Sequence, residues 1–337
     1  MRNETRIKFN GYSAQVAKLN GVDSAAVKFS VTPSVQQRLE AKIQETTAFL
    51  KKVNIIGVTE QEGEALSLGS KGPGAGRTNT ANGHRRNPAS RGALTKDAYK
   101  CVKTDFDTAF NYSEIDQWAG HPEFQTLLTA AITEQQGLDR IMIGFNGTSA
   151  ATETDLQANP LLQDVNIGWL QKIRISASTR VMDEGVVGSG KVTIGPNGDY
   201  VSLDSLVYDA VQALDPWHRN RPDLVVVVSR DLMHSKLLKA IDNGAKGNQE
   251  ENAAGEIIAR ARLGGLPVED APFFPDGTVL ITTLSNLSIY YQTGSRRRHL
   301  KEEPEFDRIA DYQSSNDAYV IEDLGLVALV ENIQEAA

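Results

Sequence analysis

The sequence predicts a mixed α+β fold, and three observations carry that reading. Apolar residues recur at helical spacing in two long stretches, "TPSVQQRLEAKIQETTAFLKKV" from Thr32 and "HPEFQTLLTAAITEQQGLDRIMIGFNG" from His121. Short runs rich in β-branched and aromatic residues, "LVVVV", "GTVLITT" and "NLSIYYQT", crowd the second half. The two kinds of segment do not alternate regularly, which argues against a doubly wound nucleotide-binding sheet. At 337 residues, 40% hydrophobic and 23% charged, the chain can bury one large core or two smaller ones.

The first thirty residues read as a basic leader carrying Arg2, Arg6, Lys8, Lys18 and Lys28. It ends in a short helix with Tyr12, Val16 and Leu19 on one face and Gly21 as its stop. It lacks the apolar stretch of a secretory signal. Pro33 disfavours helix at Thr32, so "KFSVTPS" is expected to be an extended, exposed junction. Residues 31–61 form an arm and a helix. Pro33 suits its first turn, and Val35, Leu39, Ile43, Leu50 and Val53 form its apolar stripe. Glu40 and Glu45 near its start and Lys51 and Lys52 at its end suit the helix dipole. "NIIGV" reads as a short strand.

Residues 62–100 raise a different question. From Gly69 to Gly92 there is no Val, Ile, Leu, Met, Phe, Trp or Tyr. The flanks "GEALSLG" and "ALTKDAYKCVKTDFDTAF" have strand character, so the whole reads as a long hairpin with a Gly-, Asn- and Arg-rich tip. Arms of about 18 residues would reach roughly 60 Å. An isolated hairpin is marginal in water. Two readings remain open: a disordered loop, or an arm that orders against another subunit.

The helix at 122–145 is the clearest element. Phe124, Leu128, Ala131, Gln135, Leu138, Met142 and Phe145 fall in steps of four and three and give one face roughly 36 Å long. Residues 148–164 are polar and irregular. "NIGWLQKIRISASTRV" holds a second helix or helix-loop segment. A turn at "PNG", a helix at 203–214, a buried strand and helix in "PDLVVVVSRDLMHSKLLKAI" and a helix in "AAGEIIARARLGG" follow.

Chemistry is sparse. "GVVGSGKVT" places Gly185, Gly190 and Lys191 in a phosphate-loop pattern, but Val192 stands where a hydroxyl should hold magnesium, and no helix follows. Ser229, Asp231 and His234 lie close in sequence, which proves no triad. Ser229 reads better as a helix cap and His234 as a surface residue. Five histidines and one cysteine, Cys101, show no metal-ligand spacing. No run approaches the ~18 apolar residues of a membrane helix. The formal net charge of -8 argues against general nucleic-acid coating. "SRRRHLKEEPEFDR" reads as a solvated charged face or a contact between copies. No cofactor and no catalytic residue is expected.

Three blocks carry a resemblance: "MRNETRIKFNGYSAQVAKLNGVD", "LDRIMIGFNGTSAATETD" and "NPLLQDVNIGWLQKIR". Along essentially the whole chain the sequence resembles the major capsid proteins of peduovirus-type, contractile-tailed temperate bacteriophages. The resemblance implies the HK97-like fold. Residues 62–100 would be the extended loop lying over an adjacent subunit, with Gly72, Gly74, Gly76, Arg77, Arg85, Arg86 and Arg91 at its contacts. Residues 101–196 would form the peripheral domain with spine helix 122–145. Residues 197–293 would form the axial domain, and 294–337 would return to the peripheral domain.

The implied function is an icosahedral head shell around double-stranded DNA, assembled in the bacterial cytoplasm as pentamers and hexamers. The implied partners are further copies, an internal scaffold and protease, a portal protein and DNA bound without sequence specificity, with no membrane. Such proteins typically lose an N-terminal segment on maturation, and the matching cut lies near Phe29 and Ser30. The competing classes are an α+β enzyme with an unrecognised site and a nucleic-acid-binding module.

Overall fold

The computed structural model describes residues 1–70, 75, 77–78, 85, 92–119, 123–244 and 262–336. The leader is folded. Helix α1 spans Asn3–Asn20 and is closed by Gly21, whose left-handed backbone (φ 65°) turns its amide onto the Lys18 carbonyl. Strand β1 is Phe29–Ser30, and helix α2, Pro33–Thr46, has Pro33 in its first turn. A 3-10 turn at Leu50–Lys52 leads into β2, Asn54–Val58.

The hairpin consists of β3, Glu62–Ser70, and β4, Gly92–Lys100, in antiparallel register from Glu62 opposite Lys100 to Ser70 opposite Gly92. Then come β5 (Val102–Asp105), β6 (Thr108–Asn111), α3 (Tyr112–Trp118) and α4 (Phe124–Asn146). An irregular stretch leads to α5 (Trp169–Ser176), β7 (Val181–Met182), β8 (Val192–Ile194) and α6 (Leu203–Ala210). The chain continues through β9 (Val225–Val228), α7 (Arg230–Gly244), β10 (Arg262–Leu263), β11 (Leu266–Glu269) and β12 (Val279–Thr282). It finishes with β13 (Leu287–Gln292), β14 (Arg297–Glu303), β15 (Arg308–Ile321), β16 (Ala328–Val330) and β17 (Ile333–Glu335).

Fourteen-residue β15 organises a seven-stranded sheet. Its Ser314 pairs with both Arg297 and Asp105, and its Asp317 with both Tyr291 and Val102. A strand residue has one neighbour on each side, so β13 and β14 run along one edge of β15 and β5 and β6 along the other. β2 adds in parallel to β13, and β1 adds antiparallel to β14. The second sheet has the order β10-β11-β9-β12-β16-β7. Its "VVVV" strand is apolar throughout because both faces are covered. Val227 joins the core with Trp169, Phe145 and Tyr319, and Val226 and Val228 join the core under α6 and α7.

Several expectations need correction. The described hairpin strands, nine residues each, extend about 30 Å, and the expected tip lies mostly outside the described residues. "CVKTDFDTAF" does not continue the arm, because β5 and β6 leave it to pair with β15. On α4 the buried stripe is Leu128, Ile132, Gln136, Arg140 and Ile143, about one residue round from the expected face, and Gln135 is exposed. Leu19 is exposed although Tyr12 and Val16 are buried. β13 belongs to the long sheet, and β16 belongs to the other. Most of the "AAGEIIARARLGG" helix lies outside the described residues, and its end, Arg262–Leu263, is strand.

Candidate functional site: leader, hairpin and buried ion cluster

The leader docks across the long sheet and the first half of α4. Tyr12, Val16, Ala17, Ala25 and Phe29 share a core with Ile115, Leu128, Ile132, Leu300 and Ile309. Arg6 donates to both oxygens of Glu302, at 3.1 and 2.7 Å. Its exposure to water limits what that pair contributes. The junction is extended as expected, with Thr32 at φ -64°, ψ 144°, and it is exposed only in part. Phe29 and Val31 are buried and Thr32 is half-buried, while Lys28, Ser30, Pro33 and Ser34 face solvent. Phe29 pairs with Arg298, Ser30 with Arg297, and the Val31 amide donates to the Arg296 carbonyl. The reason is sheet closure: an extended segment beside the open edge of β14 satisfies that strand's amides.

Beneath the leader lies a chain of buried charges. Arg140 on α4 donates to Glu40 of α2, and through Nε and Nη2 to Asp317 of β15 at 3.2 and 3.1 Å. Arg296, in the break between β13 and β14, donates to Glu40 at 3.1 Å, to Gln136 at 2.6 Å and to Gln313 at 2.9 Å. Gln313 donates to Asp311, which Arg298 grips at 3.0 and 2.6 Å. Arg298 also donates to the Tyr12 hydroxyl at 2.7 Å.

Three guanidiniums thus meet three carboxylates, and the last link is a leader residue. Burial pushes the Glu40 carboxyl up, but Arg140 and Arg296 outweigh it and hold Glu40 below the ordinary range. Burial, with the charge of Glu40, pushes Asp317 above its ordinary range against the pull of Arg140. Glu40 is therefore a core ion rather than a helix-dipole partner. In the charged run after Ser295, Arg296 and Glu303 are buried, whereas Lys301, Glu302, Glu305 and Asp307 are exposed.

Among the described residues, β3 and β4 form a two-stranded sheet that pairs with no other strand. At its base the Tyr99 ring meets Tyr290 edge-on at 5.1 Å, and the Lys172 ammonium donates to the Ala98 carbonyl at 3.4 Å. Arg77 and Arg85 are exposed. Gly72, Gly74, Gly76, Arg86 and Arg91 lie outside the described residues.

The motifs resembling catalytic sites have structural explanations. Val192 is a buried β-strand residue, and the amides of Gly188 and Gly190 donate to Glu184, at 2.8 and 3.4 Å, where a phosphate loop would hold phosphate. Ser229 is buried while Asp231 and His234 are exposed. The Ser229 hydroxyl has no hydrogen-bond partner among the described residues, so it is not the expected cap. Cys101 is buried, and burial with nearby Asp317 pushes its thiol up to about 12.

A family model described as phage major capsid protein, P2 family, matches residues 8–333. The chain is 46% identical over 340 residues to the major capsid protein of Serratia phage KSP20, covering 99% of this chain and 97% of that protein. It is 44% identical over 342 residues to the capsid proteins of Escherichia phage P2, covering 99% and 96%. It is similar to a chain of the satellite phage P4 procapsid including size determination (Sid) protein, with TM-score 0.82 and 42% identity over 100% of this chain and 99% of that one. The capsid of the empty GTA particle, at 15% identity and TM-score 0.53 over 86% and 90%, shares the fold alone. This is the HK97-like capsid fold, and the chain belongs to the P2 family of phage major capsid proteins.

Proposed function

We propose that this head-shell protein enters assembly with its leader attached, is strapped to a neighbouring copy by β3 and β4, and is trimmed near Phe29 and Ser30. The observation that carries this reading is the hairpin that pairs with no other strand among the described residues. Two strands alone are marginally stable, so a partner that covers them completes the structure. The partner of best fit is another copy within pentamers and hexamers. The sequence division into peripheral domain, axial domain and extended loop belongs to the same proposal. So do an internal scaffold and protease, a portal protein, packaged DNA and assembly in the host cytoplasm. The role is structural, without catalysis by the chain itself.

The leader's docking changes how a cut there must work. Proteases bind extended chain, and this junction is extended but paired. β1 must first peel from β14, and its two-residue ladder makes that a small local opening rather than global unfolding. Intact-mass measurement of the shell protein from mature particles is the test. A start between Phe29 and Thr32 is expected. A chain still beginning at Met1 or Arg2 would refute obligatory trimming.

A further inference from the structure

The apolar stripes of α1 and α2 extend beyond what the chain covers. Between α1, α2 and α4 lies a groove of about 620 Å³, with Val16 and Leu19 on one wall, Val35 and Leu39 on the second and Ala130 on the third. Leu19 is 53% exposed at its mouth, and Val35 and Leu39 are only half-buried. These residues sit at helical spacing on two helices, yet nothing in the described chain completes their burial. The α2 side of the groove also carries Arg38 and Lys42, neither of which forms an ion pair among the described residues. Glu45 is the one carboxylate in the lining.

We infer that this groove docks an amphipathic α-helix with acidic flanks, supplied by an internal assembly partner. The inference rests on the shell reading and gives its leader-dependent partner a site. All three walls are helices whose backbone groups are bonded internally, so an added strand would find no edge. A helix finds an apolar floor for anchors at i, i+3, i+4 and i+7. Acidic flanks suit the unpaired Arg38 and Lys42. Helix α1 spans about 27 Å, enough to lie alongside several turns. Because the leader supplies one wall, a cut near Phe29 and Ser30 dismantles the groove and releases its occupant. Docking and release are then one device, switched once by removal of α1.

The probe is a fluorescein-labelled 18-residue peptide with leucines at i, i+4, i+7 and i+11, glutamates at the positions flanking them and alanines elsewhere to keep it helical, read by anisotropy against the full-length chain. A lysine version is the control. The acidic peptide is expected to bind saturably, and the lysine peptide at least tenfold more weakly. Leu19→Glu and Ala130→Trp change exposed positions, so the fold stands, and each is expected to weaken binding at least tenfold. Arg38→Glu combined with Lys42→Glu is expected to reverse the preference between the peptides.

Absence of acidic-peptide binding, equal binding of both peptides, or full affinity in both Leu19→Glu and Ala130→Trp would overturn the groove. Electron micrographs of the full-length chain coexpressed with its internal partner separate the two ideas. Shells without peptide binding reject the groove alone, and failure to form shells rejects the reading beneath it.

Discussion

Replacing Arg140 with leucine puts the buried ion cluster to a quantitative test. Arg140 is fully buried and spans Glu40 and Asp317. Its 3.1 Å contact with Asp317 corresponds to about 5 kcal/mol at an effective dielectric of about 20. Breaking a buried pair by deleting one partner costs about 3–5 kcal/mol, because the other charge is left uncompensated. Glu40 keeps Arg296 at 3.1 Å, and among the described residues the Asp317 carboxylate keeps the Ser315 hydroxyl at 2.9 Å and the more distant charge of Arg296, so Asp317 bears most of the loss.

The pH dependence has a definite sign. The carboxyl of Asp317 is already raised in the folded state by burial and by Glu40, so its ionisation costs stability as pH rises above the ordinary carboxylate range. Arg140 opposes that rise, and removing it enlarges the cost. Arg140→Leu is therefore expected to lose more stability at pH 8 than at pH 5. Adding Asp317→Asn removes the stranded charge and is expected to recover about 1–3 kcal/mol. Urea unfolding followed by Trp169 fluorescence reads this directly, since Trp169 is buried against Phe145 and Tyr319. A loss below about 1 kcal/mol at pH 8 would refute the reasoning. So would equal losses at both pH values, or a double variant less stable than the single one.

Two further predictions concern packing and reactivity. At Gly168 an added Cβ would run into the Ile143 and Gly144 carbonyl oxygens, which belong to backbone and cannot swing aside. Gly168→Ala is expected to cost about 1–3 kcal/mol in the same assay, and an unchanged midpoint would contradict the close α4–α5 approach. Cys101, buried and with its thiol near 12, is expected to react with a thiol reagent at pH 8 at least a hundredfold more slowly in the native chain than in urea. Comparable rates would show that the base of the hairpin is open.

Periodicity made the long helix, the hairpin and the double-sided "VVVV" strand legible, because each depends on apolar residues or their absence. It missed the cluster for the same reason. Glu40, Gln136, Arg140, Arg296 and Asp317 are types that normally face water, and nothing local marks their burial. The one available signal was on α4, where Leu128, Ile132, Gln136 and Arg140 continue a step of four into Ile143 and Gly144. Counting only apolar residues chose the neighbouring face through exposed Gln135. The leader misled differently. Its basic composition suggested a free arm, whereas Tyr12, Val16, Ala17, Ala25 and Phe29 are enough to seat it on the sheet. Which face of an extended junction is covered depends on a strand nearly 270 residues away, at Arg297 and Arg298.

Electron microscopy of the full-length chain, coexpressed with its internal partner and compared with a chain lacking Gly72 to Arg91, tests the central claim most directly. The claim is that this is a shell subunit completed by its neighbours through the hairpin. Closed shells of uniform size are expected from the full chain. From the deletion, folded subunits or small oligomers without stable shells are expected. Failure of the full chain to close into shells, or normal and equally heat-resistant shells from the deletion, would contradict it.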